Sequence, residues 1–265
     1  MIRNVRTAVA LLFTGAAFIG ASSPATGGTA SAEAVVSAGV SAGVSASEAR
    51  TSDGFGLNFD NGESLRPGSW VRDITGHGHR ATVVVSDGGR LTRVKGVRGS
   101  TAAGFPGTCG SCGRAILEIA DRPALDPRRS AVRFGAAVRV TARRAPHGSD
   151  PNIVQKGLAR TSGGQLKLEL IGARPRCVVI GRAGGVSTAR GPSVADGRWH
   201  HLACSRRGRV VALHIDGTVA AQKHGATGRI ANAAPVRIGG KAVGHAGDDD
   251  QFHGRLDNVF LRITR

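Results

Sequence analysis

Two-residue alternation runs through the chain from about residue 54 onward, and it constrains the fold more than any other feature. Val132, Phe134, Ala136, Val138 and Val140 fall on one face of an extended segment, with Arg133, Arg139 and Thr141 on the other. Leu166, Leu168 and Leu170 alternate with Lys167 and Glu169. Leu202 and Cys204 share a face of Trp199–Arg206, and Val211, Leu213 and Ile215 share a face of the next segment. Asp216-Gly217 supplies hairpin turn chemistry, with Thr218–Ala221 returning. Pro235–Gly239 and Phe252–Thr264 read as the last two strands. Helical periodicity is nearly missing. Strands spaced by about 8–15 residues with Gly-rich turns predict an all-β, antiparallel two-sheet sandwich of roughly a dozen strands.

The N-terminus reads differently. Arg3 and Arg6 precede an uncharged, mostly apolar stretch, Ala8–Ala21, and small-residue sites follow at Ala30-Ser31-Ala32 and Ala32-Glu33-Ala34. That order is the one of a secretory signal peptide over residues 1–34. The apolar stretch, about 14 residues, is short for a bilayer span, and no second run of about 18 apolar residues follows. The expectation is a secreted protein with no membrane attachment after cleavage. Residues 35–53 contain the repeat V-S-A-G-V-S-A-G-V-S-A and read as a low-complexity spacer. The folded domain is expected over 54–265.

In an exported chain, four cysteines suggest disulfides. Cys109, Cys112, Cys177 and Cys204 allow three pairings. Zinc bound by all four thiolates is the alternative, but Cys177 and Cys204 offer no second Cys-x-x-Cys. Cys177 shares a face with Val179, and Cys204 with Leu202. If their strands are neighbours, Cys177–Cys204 is a cross-strand bridge inside the sandwich, and Cys109–Cys112 closes a small surface ring.

Four segments occur in order: Asp196-Gly197-Arg198-Trp199-His200-His201-Leu202, Val210–Asp216-Gly217, Val236-Arg237-Ile238-Gly239-Gly240, and Phe252-His253-Gly254-Arg255-Leu256-Asp257-Asn258-Val259. With Leu57-Asn58-Phe59-Asp60, Asp73-x-x-Gly76-x-Gly78 and Gly104-Phe105 in front, the set resembles the laminin G-like, concanavalin A-like jelly-roll family. It is most similar to secreted actinobacterial forms with two inward cysteines. The family hosts lectins, glycosidases and adhesion modules, so the resemblance implies a fold and not a ligand. It also implies a structural Ca²⁺ near the last strand. Asp257 shares the parity of Val259, Leu261 and Ile263, and a carboxylate on a core face needs a counter-charge or several donors. The implied oxygen ligands are Asp257, Asp60 and the Asp73–Gly76 loop.

Catalysis finds little support. Glu63, Glu118 and Glu169 are the only glutamates after residue 54. Glu118 and Asp121 are three apart and face opposite sides of a strand, so they do not make a glycosidase pair. His200 and His201 also point to opposite faces. Gly-x-Ser-x-Gly and His-Glu-x-x-His motifs are absent. The net charge of +18 favours an acidic partner, although only five of the 36 basic residues are Lys, a bias a GC-rich genome would also leave. Trp70, Arg133, Arg139, Arg206 and Arg207 are the candidate ligand-binding residues, since Arg forks suit carboxylate, sulfate and phosphate. Sequence-specific nucleic-acid reading is not expected, because no recognition-helix pattern exists. The reading is a non-catalytic binding module for extracellular carbohydrate or acidic polymer. The alternatives are a structural or protein-interaction module, and less so a glycoside hydrolase.

Overall fold

The computed structural model describes residues 52–108, 113–144, 150–244 and 250–265. The pairing proposed for Cys109 and Cys112 lies outside them. No α-helix occurs among the described residues, and therefore no helix long and apolar enough to cross a membrane. Sixteen strands form two antiparallel sheets.

The first sheet, here the terminal sheet, holds the first and the last described strands. It contains β1 (Ser52–Leu57), β4 (Thr92–Lys95), β5 (Thr101–Gly104), β7 (Ala131–Thr141), β12 (Asp196–Arg207), β13 (Val210–Ile215), β14 (Thr218–His224) and β16 (Arg255–Thr264). Its order is β14-β13-β12-β7-β16-β5-β4, with β1 also paired to β16. The second sheet contains β2 (Trp70–Arg72), β3 (Arg80–Ser86), β6 (Arg114–Ile119), β8 (Asn152–Lys156), β9 (Gln165–Ile171), β10 (Arg174–Gly181), β11 (Gly184–Ser187) and β15 (Val236–Ile238). Its order is β11-β10-β9-β8-β15-β6-β3-β2. Neighbours that are distant in sequence, such as β7 beside both β12 and β16, give the jelly-roll connectivity.

The alternation seen in the sequence sets the core. Phe55, Phe134, Leu202 and Leu261 point inward from the terminal sheet and meet Leu117, Val154, Leu168 and Val179 from the second. Arg133 and Arg139 lie on the outer face of β7, as expected. The sequence reading assigned no strand to β1 through β5 or to β8, and the shortest strands show why. β2, β4 and β11 have three or four residues each, too few to show a period.

Cys177 and Cys204 are bonded, with Cα atoms 5.6 Å apart. Their strands are not neighbours, which corrects the cross-strand expectation. Cys177 lies on β10 of the second sheet and Cys204 on β12 of the terminal sheet, so the bridge crosses the core between them. Side-chain parity shows that both cysteines point inward but not which sheet each belongs to.

A second correction concerns Asp257. The register of β16 against β7 shifts between Asp257 and Phe260, and Asn258 has a φ of 47°. This bulge moves Asp257 off the inward parity of Val259 and Leu261. Asp257 pairs with Ala137, an outward position, and is buried under the Val97–Thr101 turn instead of in the core.

The inter-sheet bridge closes a loop of 27 residues. Chain-entropy arguments give it about 3–4 kcal/mol. The Cys177→Ala/Cys204→Ala double variant is expected to lose that much in denaturant unfolding, with a higher m-value because the unfolded chain without the bridge expands. A loss below about 1 kcal/mol would show that the two sheets hold this register without the bridge.

Candidate functional site

The outer face of the second sheet is polar yet largely buried, and this singles it out. One rung crosses it through directly opposed residues: Ser187, Val178, Lys167, Gln155, Arg237, Glu118, Thr82 and Trp70. Next to it lie Gln165 on one side and Asn152 and Glu169 on the other. Asn152, Gln155, Gln165 and Glu169 are each exposed by 3% or less. Residues that face away from the core rarely become this buried, because polar side chains prefer water. Here Leu158, Ala159, Arg160, Lys241 and Asp250 rise along the sides. Together they enclose a trough of about 380 Å³ over Gln155, Gln165 and Lys167.

The trough floor is a hydrogen-bonded amide network. Asn152 Nδ2 donates to Gln155 Oε1 and to Asp250 Oδ2, the latter at 3.0 Å. Gln155 Nε2 and Gln165 Nε2 both donate to the Gly157 carbonyl. Glu169 is clamped by Lys167 at 2.5 Å and Arg176 at 2.6 Å. One atom is left over: Asn152 Oδ1 is buried and accepts no hydrogen bond. An unmet buried acceptor costs about 1–3 kcal/mol; Asn152 is fully buried, and Gln155 and Gln165 are the amides of this network that line the trough.

Glu118 and Glu169, the two glutamates on this face, cannot act as a pair. Glu118 sits on β6 and is held by Arg237 at 2.9 Å. Glu169 sits three strands away on β9. At the usual strand spacing that is about 14 Å, beyond the reach of a retaining or inverting glycosidase. Asp121 is bound to Lys156 at 2.5 Å, with Asp126 at 3.4 Å from the same ammonium, so it caps a buried lysine.

Of the sequence candidates, Trp70 ends the rung described above, on the edge strand, with the Arg80 guanidinium 4.3 Å from its ring centroid. Arg133 and Arg139 stand on the opposite side of the molecule, outside the terminal sheet. Arg207 is exposed at the end of β12. Arg206 is no ligand residue. It is 2% exposed, and its guanidinium donates to the carbonyls of Arg128, Ser130 and Gly228, which ties the loop before β7 to the loop after β14. The amide floor was missed, because Asn152, Gln155 and Gln165 read as ordinary polar strand positions and only the fold brings them together.

The oxygen atoms assigned to Ca²⁺ do not assemble a site. Asp257 Oδ2 accepts from Val97 N and from the Ser100 hydroxyl at 2.7 Å, and Oδ1 accepts from Asn258 N. Asp60 accepts from Thr101 N. Asp73 accepts from Gly56 N, Thr75 N and the Thr75 hydroxyl, in an Asx turn that pins the Gly76 loop to β1. Burial raises the Asp73 carboxyl's pKa, but these donors outweigh it and hold the group below the ordinary aspartate range. Among the described residues no three His, Cys, Asp or Glu side chains converge on one point. Protein donors already satisfy these carboxylates, and the residues do not fit a calcium ion.

His200 also has a structural role. Its Nδ1 meets Asp216 at 2.8 Å and its Nε2 meets Asp196 at 3.1 Å, which ties β12 to the Asp216-Gly217 turn. Burial pulls the imidazole's pKa down, but the bonds to Asp216 and Asp196 prevail and raise it.

Comparison with known proteins agrees with this architecture. Residues 135–261 match the family model Laminin_G_3, the concanavalin A-like lectin/glucanases superfamily. The resemblance read from the four motifs is borne out over that segment. No curated protein matches the sequence. Among solved structures, the binding domain of Paraclostridial Mosquitocidal Protein 1 superposes with a TM-score of 0.57 at 15% identity, over 80% of this chain and 48% of that one. Domain 4 of AbnA, a GH43 extracellular arabinanase from Geobacillus stearothermophilus, solved with arabinotriose, gives 0.53 at 14% identity, over 79% and 91%. The binding domain of Botulinum Neurotoxin DC in complex with SialylT gives 0.51 at 10%, over 76% and 48%. The chain thus spans about half the length of the two toxin binding domains. At these identities the likeness is one of fold.

The raised His200 pKa has a definite sign. Its stabilisation is complete below the unfolded value near 6.5 and is lost as pH rises through the higher folded value. The fall in stability as pH rises above about 6.5 is expected to flatten in His200→Gln; an unchanged profile would remove the Asp196–His200–Asp216 cluster from the account.

Proposed function

We propose that this concanavalin A-like jelly roll is a secreted, non-catalytic carbohydrate-binding module that holds a saccharide in the trough of its second sheet. The observation that carries the reading is the buried amide pair Gln155 and Gln165, which lines the trough and is held from behind by Asn152. Saccharide hydroxyls donate and accept at once, so they match a floor built of these amides. Lys167 and Arg160 supply further donors at the walls. Leu158 is 40% exposed beside them and gives an apolar surface for a sugar ring face.

Several features support the reading without depending on one another. The superposed domain of AbnA was solved with arabinotriose, and a superposed toxin domain with SialylT. Glu118 and Glu169 lie too far apart to act together and are neutralised by cations, which favours binding without turnover. The N-terminal charged, apolar and small-residue order, together with the inter-sheet disulfide, favours export.

The test is calorimetric titration of the purified protein with a panel of neutral oligosaccharides that includes arabinotriose, with turnover assayed in parallel. At least one member is expected to bind without being cleaved. Gln155→Ala and Gln165→Ala are each expected to weaken it by about tenfold, since each removes a buried polar partner. Cleavage of any panel member would defeat the non-catalytic part. Unchanged affinity in both variants would defeat the trough as the site.

A further inference from the structure

The outer face of the terminal sheet poses a separate electrostatic problem. Arg133 on β7 stands directly opposite Arg262 on β16. Six residues further along β7, Arg139 stands directly opposite Arg255. Directly opposed like charges destabilise a sheet, and here the arrangement occurs twice on one strand pair. Among the described residues none of the four guanidinium groups has a carboxylate ion-pair partner, whereas on the second sheet Arg176 and Arg237 each have one. Asp257 lies between the two pairs on the same strand, but it is buried and taken up by Val97, Ser100 and Asn258.

Each pair borders a depression. Arg133 and Arg262 flank a cleft of about 420 Å³ together with Phe260, His201 and Ile74. Its floor includes the small residues Gly56 and Ala203. Gly135, opposite Ala203 and Phe260, keeps the surface low: a Cβ there would fall 2.1 Å from the Leu202 carbonyl. Arg139 and Arg255 line a second depression of about 210 Å³ with Arg144 and Thr141. Arg139 is fixed by donating from Nε to the Gly197 carbonyl at 2.6 Å. Arg262 packs over the Phe260 ring, 5.5 Å from its centroid. At the rise of an extended strand the two arginine pairs are about 20 Å apart, the length of several sugar residues in a linear polymer.

We propose that this face binds a linear anionic polysaccharide, its carboxylate or sulfate groups seated at the Arg133/Arg262 and Arg139/Arg255 pairs. The like-charge repulsion that the free sheet bears would then be relieved by the ligand. A polysaccharide is favoured over nucleic acid because stacking platforms for bases need successive rings along a groove. Here the rings near the arginines are Phe260 and Trp199, two strands apart on either side of β7. The site is independent of the trough on the second sheet.

The test uses the purified protein with dextran sulfate, polygalacturonate, neutral dextran and single-stranded DNA at two salt concentrations. Wild type is expected to retain both anionic polysaccharides, more weakly as salt rises, and not dextran. Arg133→Gln/Arg262→Gln and Arg139→Gln/Arg255→Gln are each expected to weaken retention by about tenfold or more. Neither pair is expected to lower Tm, because each removes a repulsion. Arg129→Gln/Arg209→Gln, which removes the same charge elsewhere on the exposed surface, is expected to stay within about twofold of wild type. Equal weakening by that control would overturn the proposal in favour of diffuse net charge. Full retention by the four-arginine variant, or tighter binding of the DNA than of both polysaccharides, would also overturn it.

Discussion

Packing two twisted sheets face to face over one shared core is the constraint on which the rest of the molecule depends. Every inward residue of β7, β12 and β16 must meet an inward residue of β8, β9 and β10. A one-residue slip in any of these strands would turn its apolar set out to water. The Cys177–Cys204 bridge lies within this constraint, because it joins the two facing layers and not two neighbours of one sheet. The layer arrangement also leaves two broad outer faces, and each solves its own polar problem.

Those solutions differ. On the second sheet the charges are matched: Glu169 has two cations, Glu118 has Arg237, and buried amides fill the ground between them. That face resembles a preorganised site for hydroxyl groups, where the desolvation cost of the polar floor is met within the fold. On the terminal sheet the arginines are unmatched and face one another. The same chain therefore carries a neutral hydrogen-bonding surface and a strongly cationic one on opposite sides of the core. Net charge of +18 describes their sum and hides the difference.

Fold class, the long strands and the inward cysteines were legible in the sequence because each rests on a local period. Val132 to Val140 show it over five alternations, and Asp216-Gly217 marks its turn by positive φ at both residues. What escaped was non-local. Parity alone put Asp257 on the core face, and the bulge at Asn258 reversed that. Arg206 looked like part of a basic surface, yet three carbonyls from two separate loops collect it into the interior. The trough residues come from β8 and β9, from the loop between them and from the segment after β15, and no spacing rule links Gln155 to Asp250. The surroundings of the carboxylates named for calcium were non-local in the same way. Donors in the 97–101 turn and the Thr75 Asx turn had already satisfied them.

The most direct measurement is side-chain amide NMR of Asn152, Gln155 and Gln165 while neutral oligosaccharides are titrated in. The account predicts that a bound saccharide shifts these resonances, Gln155 and Gln165 most, because they line the trough. Saccharide binding that leaves all three unmoved, or no saccharide binding at all, would contradict it.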